Sequence, residues 1–335
     1  MKILFITFQK KDDENQPNFY RFADYLGDLT LHGFRELYGE DVIDYPGSWH
    51  LYKDEAEKRK INKDIIWGRG FTYTNILDNF DNINREDIKN KIKSNYFELI
   101  VYGSIRRSDL FLDIAVNSKS KIIFIDGHDD TYIEKKFLKH GLYFKREYIE
   151  TTKNVEPINL SVPKSKILKS IDIKPINLVA PLIPGKSKTY IYKNEEDYYK
   201  MYQKSIFGVT YKKTGWDCMR HYEILMNGCL PLFLDIENCP DLTMKNLPKK
   251  KITEIKKNYE FILNKRNPFK IFIKRFQKKT ILIEYLKYLF SAKISAEEFL
   301  LKNPEIFETK EDILSFTKKN LTTEITAKNI LSYIK

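Results

Sequence analysis

The stretch Ile206–Asp235 does most to decide what this chain can fold into. An apolar, β-branched run (Ile206–Tyr211) leads through Lys212, Lys213, Thr214 and Gly215 into a breaker-free segment, Asp217–Asn227. There Met219, Tyr222, Leu225 and Met226 recur on one helical face. Gly228 stands where helices commonly end in a left-handed residue, a conformation glycine adopts without a Cβ penalty. Cys229–Leu234 is then a short apolar run, the pattern of a strand buried on both faces of a parallel sheet. Strand, helix and strand in this order make a βαβ unit.

The same alternation runs through the rest of the chain. Lys2–Phe8 reads as a first strand and Asp12–Pro17 as a polar loop at its carboxyl end, the edge where open α/β sheets bind ligands. Phe19–Tyr38 is a helix with Gly39 as its stop, interrupted by Gly27 and Gly33, and Val42–Tyr45 is a second strand. Ile83–Ser94 and Ser108–Asn117 read as helices, and Phe97–Tyr102, Lys121–Asp126 and Leu142–Ile149 as strands. Glu150–Pro175 is a polar, proline-bearing connection and the expected domain boundary. Ile176–Leu182 restarts the pattern, and Asn194–Lys204 is a helix with Asn194 as its N-cap. Lys249–Leu263 and Phe269–Phe290 are expected to be helical, followed by two shorter C-terminal helices. The domains expected are 1–175 and 176–320, with 321–335 a C-terminal helix placed to pack back on the first.

The residues around the βαβ unit point to chemistry. Two lysines and a glycine ahead of a helix N-terminus suit an anion, because free N–H groups and the helix dipole both favour phosphate there. Glu223 lies inside the helix with Arg220 one turn earlier, and a carboxylate can accept both hydroxyls of a ribose diol. The run RHYEILMNGCLPLFL, Arg220–Leu234, resembles the donor-site signature of GT-B glycosyltransferases, above all the exostosin-like order of Arg, Glu, Gly-Cys-x-Pro and an apolar strand. The resemblance implies that Glu223 holds the ribose of a nucleotide sugar, with Gly228, Cys229, Pro231 and Arg220 at matching positions. It implies an α/β fold of two Rossmann-like domains facing across a cleft, the first for the acceptor and the second for the donor. Lys212, Lys213 and the amides near Gly215 and Trp216 would then neutralise the diphosphate, where charge grows on the leaving group. The bland alternative is a helix–strand unit whose Arg220 and Glu223 form an ordinary surface ion pair.

A transferase also needs a group to take the acceptor's proton, and Asp126, His128 and Asp129 offer one at a strand's carboxyl end. The competing reading is an acidic turn capping a helix that begins near Thr131, with Asp130 as N-cap. The aromatic loop Pro46–Thr74, carrying Trp49, Tyr52, Trp67, Phe71 and Tyr73, fits either sugar stacking or packing of its own rings.

Composition narrows the classes. Three cysteines without CxxC and five histidines without HExxH argue against a disulfide framework, a zinc site or a catalytic metal, so no metal and no cofactor beyond the nucleotide-sugar substrate is expected. No apolar run approaches the ~20 residues of a membrane span, and the start of the chain lacks a secretory pattern, so a cytoplasmic protein is expected. The net charge of +12 is concentrated in Lys245–Lys279, with thirteen Lys or Arg against two Glu. Weak contact of this segment with an anionic membrane at the inner face is expected, where a glycan or lipid-linked acceptor would be met. A nucleic-acid partner is not expected, because no RNA- or DNA-binding module accompanies the patch. A phosphatase or epimerase using the same phosphate turn, and a non-catalytic member of the fold, remain open. So do sugar, nucleotide, acceptor, stereochemistry and oligomeric state.

Overall fold

A computed structural model of the chain describes residues 1–8, 23–79, 82–259, 262 and 295–334. The expected Asp12–Pro17 loop, the start of the Phe19–Tyr38 helix and Phe269–Phe290 lie outside the described residues.

The chain is mixed α/β with two parallel sheets. Through the first half run β1 (Ile3–Ile6), α1 (Tyr25–Tyr38), β2 (Val42–Tyr45), α2 (Glu55–Lys58), α3 (Ile88–Lys93), β3 (Leu99–Tyr102), α4 (Leu112–Ala115), β4 (Lys121–Asp126), β5 (Leu142–Lys145) and β6 (Val155–Pro157). These six strands form one sheet in the order β2-β1-β3-β4-β5-β6, every pairing parallel. β1 and β3 are buried along their whole length, as a sheet covered on both faces requires. The second half contributes β7 (Asn177–Val179), α5 (Glu195–Gln203), β8 (Ser205–Thr210), α6 (Met219–Met226) and β9 (Leu230–Phe233), with β7-β8-β9 as a second parallel sheet. Then come α7 (Lys249–Tyr259), α8 (Ala296–Lys302), α9 (Ile306–Asn320) and α10 (Thr323–Ser332). The two sheets face one cleft, so the fold is a pair of Rossmann-like units.

Several elements have evident local causes. Asp24 caps α1, accepting from the amides of Leu26 at 3.1 Å and Gly27 at 3.2 Å. Asn194 caps α5 by accepting from Asp197 N at 2.8 Å, and Gly228 takes φ +63° between α6 and β9. α10 returns to the first half and lies on α1. A Cβ on Gly33 would stand 2.0 Å from the Thr323 carbonyl oxygen, and His32 Nδ1 is 2.8 Å from Thr323 Oγ1.

Some expected elements are shorter or differently placed. The helices expected over Ile83–Ser94 and Ser108–Asn117 contract to α3 and α4, each preceded by a residue in the left-handed region, Asp87 at φ +54° and Phe111 at φ +62°. The helix expected near Thr131 is absent. The carboxylate that was to cap it, on Asp130, instead takes both Arg106 nitrogens at 2.8 and 2.7 Å, and only a 3₁₀ turn follows at Lys135–Phe137. The Glu150–Pro175 connection contains β6, whose Pro157 is tolerated because the strand is at the sheet edge.

Candidate functional site

A cleft of about 880 Å³ opens where loops from the carboxyl ends of both sheets meet. In open α/β sheets this edge is where ligands bind, because strand ends and helix N-termini converge there. Its walls include His128, Asp129 and Arg107 from the first sheet and Lys213, Gly215, Arg220 and Glu223 from the second.

Glu223 is held in the second turn of α6 and is buried. Its Oε2 accepts from Tyr198 OH at 2.6 Å and its Oε1 contacts Thr72 Oγ1 at 3.0 Å. Burial pushes its carboxyl above the usual glutamate range, although Tyr198 and Arg220 pull the other way. Arg220, also buried, turns its Nη2 to Tyr190 OH at 2.6 Å rather than to Glu223, and its Nε is buried without a hydrogen-bond partner. The surface ion pair of the bland reading is therefore not formed. Lys213 projects into the cleft, where enclosure by its walls and the neighbouring Arg220 charge lower its pKa below the ordinary lysine value.

Other residues of the expected phosphate turn are engaged differently. Lys212 lies outside the cleft lining, its amide donating to Asp235 Oδ1 at 3.0 Å and its ammonium standing 5.0 Å from the Trp216 ring. The amides of Trp216 and Asp217 both donate to Glu147, at 3.0 and 2.9 Å. A first-half carboxylate thus takes the amides of the loop just ahead of α6, where a phosphate was expected. Gly215 makes this approach feasible, since a Cβ there would lie 2.6 Å from Glu147 Oε1. The contact is reinforced by Arg146, which donates to the Asp217 carbonyl at 3.0 Å and pairs with Asp129. Burial raises the pKa of Asp217 to about 6, and its carboxylate accepts from Leu160 N and Tyr222 OH, each at 2.8 Å.

On the opposite wall the three acid–base candidates separate. Asp126 is buried beneath the cleft, gripped by Arg106 at 2.8 Å, Lys145 at 3.1 Å and Tyr143 OH at 2.6 Å. Asp129 lines the cleft but is paired with Arg146. His128 lines it with Nε2 buried and without a hydrogen-bond partner, and burial lowers its pKa below 6.5. A neutral imidazole with a free ring nitrogen is able to accept a proton. Among the described residues no group of three or more His, Cys, Asp or Glu is arranged to hold a metal ion.

Within the aromatic Pro46–Thr74 loop, sequence reasoning missed that Trp67–Thr74 crosses from the first half to the second. Arg69 Nη1 donates to the Tyr192 carbonyl at 3.1 Å, Thr72 N to Glu195 Oε1 at 2.5 Å, and the Phe71 and Tyr198 rings lie 5.5 Å apart. Gly68, Arg69, Gly70 and Thr72 all have positive φ, Thr72 at +77°. A β-branched residue there is a true outlier, and such strain persists only where its surroundings impose it. The Gly68-Arg69-Gly70 run was the available signal. Glu147 left none, because it fell inside the expected Leu142–Ile149 strand, whereas β5 ends at Lys145.

No family model matches the chain, and no curated protein does. Two solved structures are similar over nearly the whole length. One is a glycosyltransferase from Rickettsia africae ESF-5, at 10% identity and a TM-score of 0.49, covering 99% of this chain and 97% of that one. The other is Anabaena Alr3699/HepE in complex with UDP and glucose, at 8% identity and a TM-score of 0.37, covering 100% and 99%.

Proposed function

We propose that the chain is a glycosyltransferase that moves a sugar from a nucleotide-diphosphate donor to a hydroxyl acceptor. The observation that carries this reading is the placement of Glu223, Arg220 and Lys213 on one wall of a single cleft, with His128 on the other. Glu223 would take the ribose diol. Arg220, through its unpartnered Nε, and Lys213 would take the diphosphate, neutralising the leaving group with fixed cations rather than a metal. His128 would accept the proton of the attacking hydroxyl. Lys212 and the Trp216 amide, expected as phosphate ligands, have no part in this version, because Trp216 N is committed to Glu147 and Lys212 packs outside the cleft.

The acceptor is proposed to be a glycan or lipid-linked hydroxyl, met by a cytoplasmic enzyme in peripheral contact with the membrane. Thermal-shift screening against UDP-, GDP-, CMP- and dTDP-sugars tests the donor half. A ligand at a hundred times its Kd should stabilise by about 2.7 kcal/mol. Release of inorganic phosphate or isomerisation of the sugar without transfer would turn the reading toward a phosphatase or epimerase. Failure of every nucleotide to bind would remove it.

A further inference from the structure

Glu223 is joined to a second carboxylate by an unbroken line of oxygens. Glu223 Oε1 lies 3.0 Å from Thr72 Oγ1, Thr72 Oγ1 lies 2.8 Å from Tyr199 OH, and Tyr199 OH lies 2.8 Å from Glu195 Oε1. Three such contacts need three protons, but the two hydroxyls bring one each. Tyr198 cannot supply the third, since its proton is committed to Glu223 Oε2 at 2.6 Å. The remaining proton must sit on one of the carboxyls. Glu195 is met by stronger donors, the Thr72 amide on Oε1 and the Lys166 ammonium on Oε2, which favours Glu223 as the site of the remaining proton. The two oxygens of buried Glu223 instead meet hydroxyls, Thr72 on Oε1 and Tyr198 on Oε2.

We propose that Glu223 is a neutral carboxyl in the unliganded protein, donating from Oε1 to Thr72, which donates to Tyr199, which donates to Glu195. Thr72 and Tyr199 are then positioning residues that stabilise a proton on the donor-binding side chain. On the reading that Glu223 receives a ribose, nucleotide uptake is coupled to loss of this proton. The Oε1 proton passes to solvent, the carboxylate becomes the acceptor of the two ribose hydroxyls, and no other bond is made or broken.

The groups facing Glu223 come from its own helix and from four other segments. α5 presents Glu195, Tyr198, Tyr199 and Tyr202, and the crossing segment presents Thr72. Tyr25 of α1 and Lys213 of the loop before α6 act at longer range, and Arg220 lies on α6 itself. Of these only Arg220 and Lys213 are cationic, and Glu195 opposes them.

The test is a pH titration of glutamate δ-carbons by NMR, without nucleotide, in protein carrying ¹³C-labelled glutamate. Glu223→Gln identifies the resonance. Wild-type Glu223 should titrate above the ordinary glutamate range. Tyr199→Phe keeps the ring and touches neither Glu223 oxygen, yet it should lower the midpoint, because only the neutral form lets the Tyr199 hydroxyl bond Thr72 and Glu195 together. An unchanged or raised midpoint in Tyr199→Phe, or a wild-type Glu223 ionised throughout, would overturn the proposal. Nucleoside diphosphate affinity, measured across the same pH range in both proteins, separates the two ideas, since the ligand's own titration is common to them. If Glu223's midpoint falls in Tyr199→Phe while the pH profile of affinity stays put, the proton stands and the ribose reading falls.

Discussion

Glu223 and His128 differ in what surrounds them, and that difference sets what each should do when altered. Glu223→Ala removes an acceptor of hydroxyl hydrogen bonds, an interaction worth about 1.5–3 kcal/mol when one partner is charged. Nucleoside diphosphate affinity should therefore fall roughly tenfold or more by calorimetry. Unchanged affinity in a folded variant would end the ribose assignment. His128→Gln should behave oppositely, keeping donor affinity while transfer falls by about 10²–10⁴, the range of general acid–base catalysis. The sign of the pH effect follows from burial. Because His128's pKa lies below 6.5, the imidazole is neutral and competent at pH 7, and transfer should fail only as acid protonates it. The two lysines should also separate, with Lys213→Ala weakening diphosphate binding and Lys212→Ala leaving it nearly intact. Equal effects would return Lys212 to the site.

At the scale of elements, α6 is anchored from outside. Glu147 satisfies two amides ahead of the helix, so Glu147→Ala leaves buried donors without an acceptor, at a cost of about 1–3 kcal/mol. Urea denaturation of Glu147→Ala should show that loss, and a midpoint within error of wild type would mean that water replaces the carboxylate without penalty. The βαβ unit around α6 was legible in the sequence because its signals are local: apolar runs, a helical stripe and Gly228 at a position needing positive φ. The β4 strand and the Asn194 cap were legible for the same reason. What escaped depends on partners distant in sequence. Asp130 was assigned to a helix cap because Arg106, twenty-four residues away, is invisible to local pattern. Asp126 was as good a base as His128 until Arg106, Lys145 and Tyr143 closed around it. Thr72 gave no sign of reaching Glu223, since that contact spans 151 positions and rests on a backbone conformation threonine does not favour. The basic segment stands between these cases. Its described lysines include Lys251 paired with Asp312 and Lys256 with Glu237, while Lys270, Lys274, Lys278 and Lys279 lie outside the described residues.

At the scale of the whole molecule, the described contacts between the two halves include three that bear on the cleft and its frame. The Trp67–Thr74 segment reaches α5 and Glu223, Arg146 and Glu147 reach the start of α6, and α10 lies on α1. The last of these ties the end of the chain to its beginning. Val162 N donates to the Leu321 carbonyl at 2.9 Å and Thr323 N to the Val162 carbonyl at 3.0 Å, so the residues leaving the first sheet pair with those entering α10. Ala327 and Ile330 are fully buried, and Gly33 lets the α1 and α10 backbones meet without an intervening side chain. Gly33→Ala must push α10 away or distort α1, and overpacking of this kind costs about 1–3 kcal/mol. The cleft lies at the other end of α1, lined by Tyr25 and Leu26 rather than by any residue of α10. Gly33→Ala should accordingly lower the midpoint of thermal unfolding while nucleotide affinity at low temperature stays within about twofold, a change worth only ~0.4 kcal/mol. A Gly33→Ala protein that keeps wild-type stability would show that α10 can leave α1 at little cost. One that loses nucleotide affinity in proportion to its stability would show that the seating of the C-terminal helix sets the geometry of the cleft.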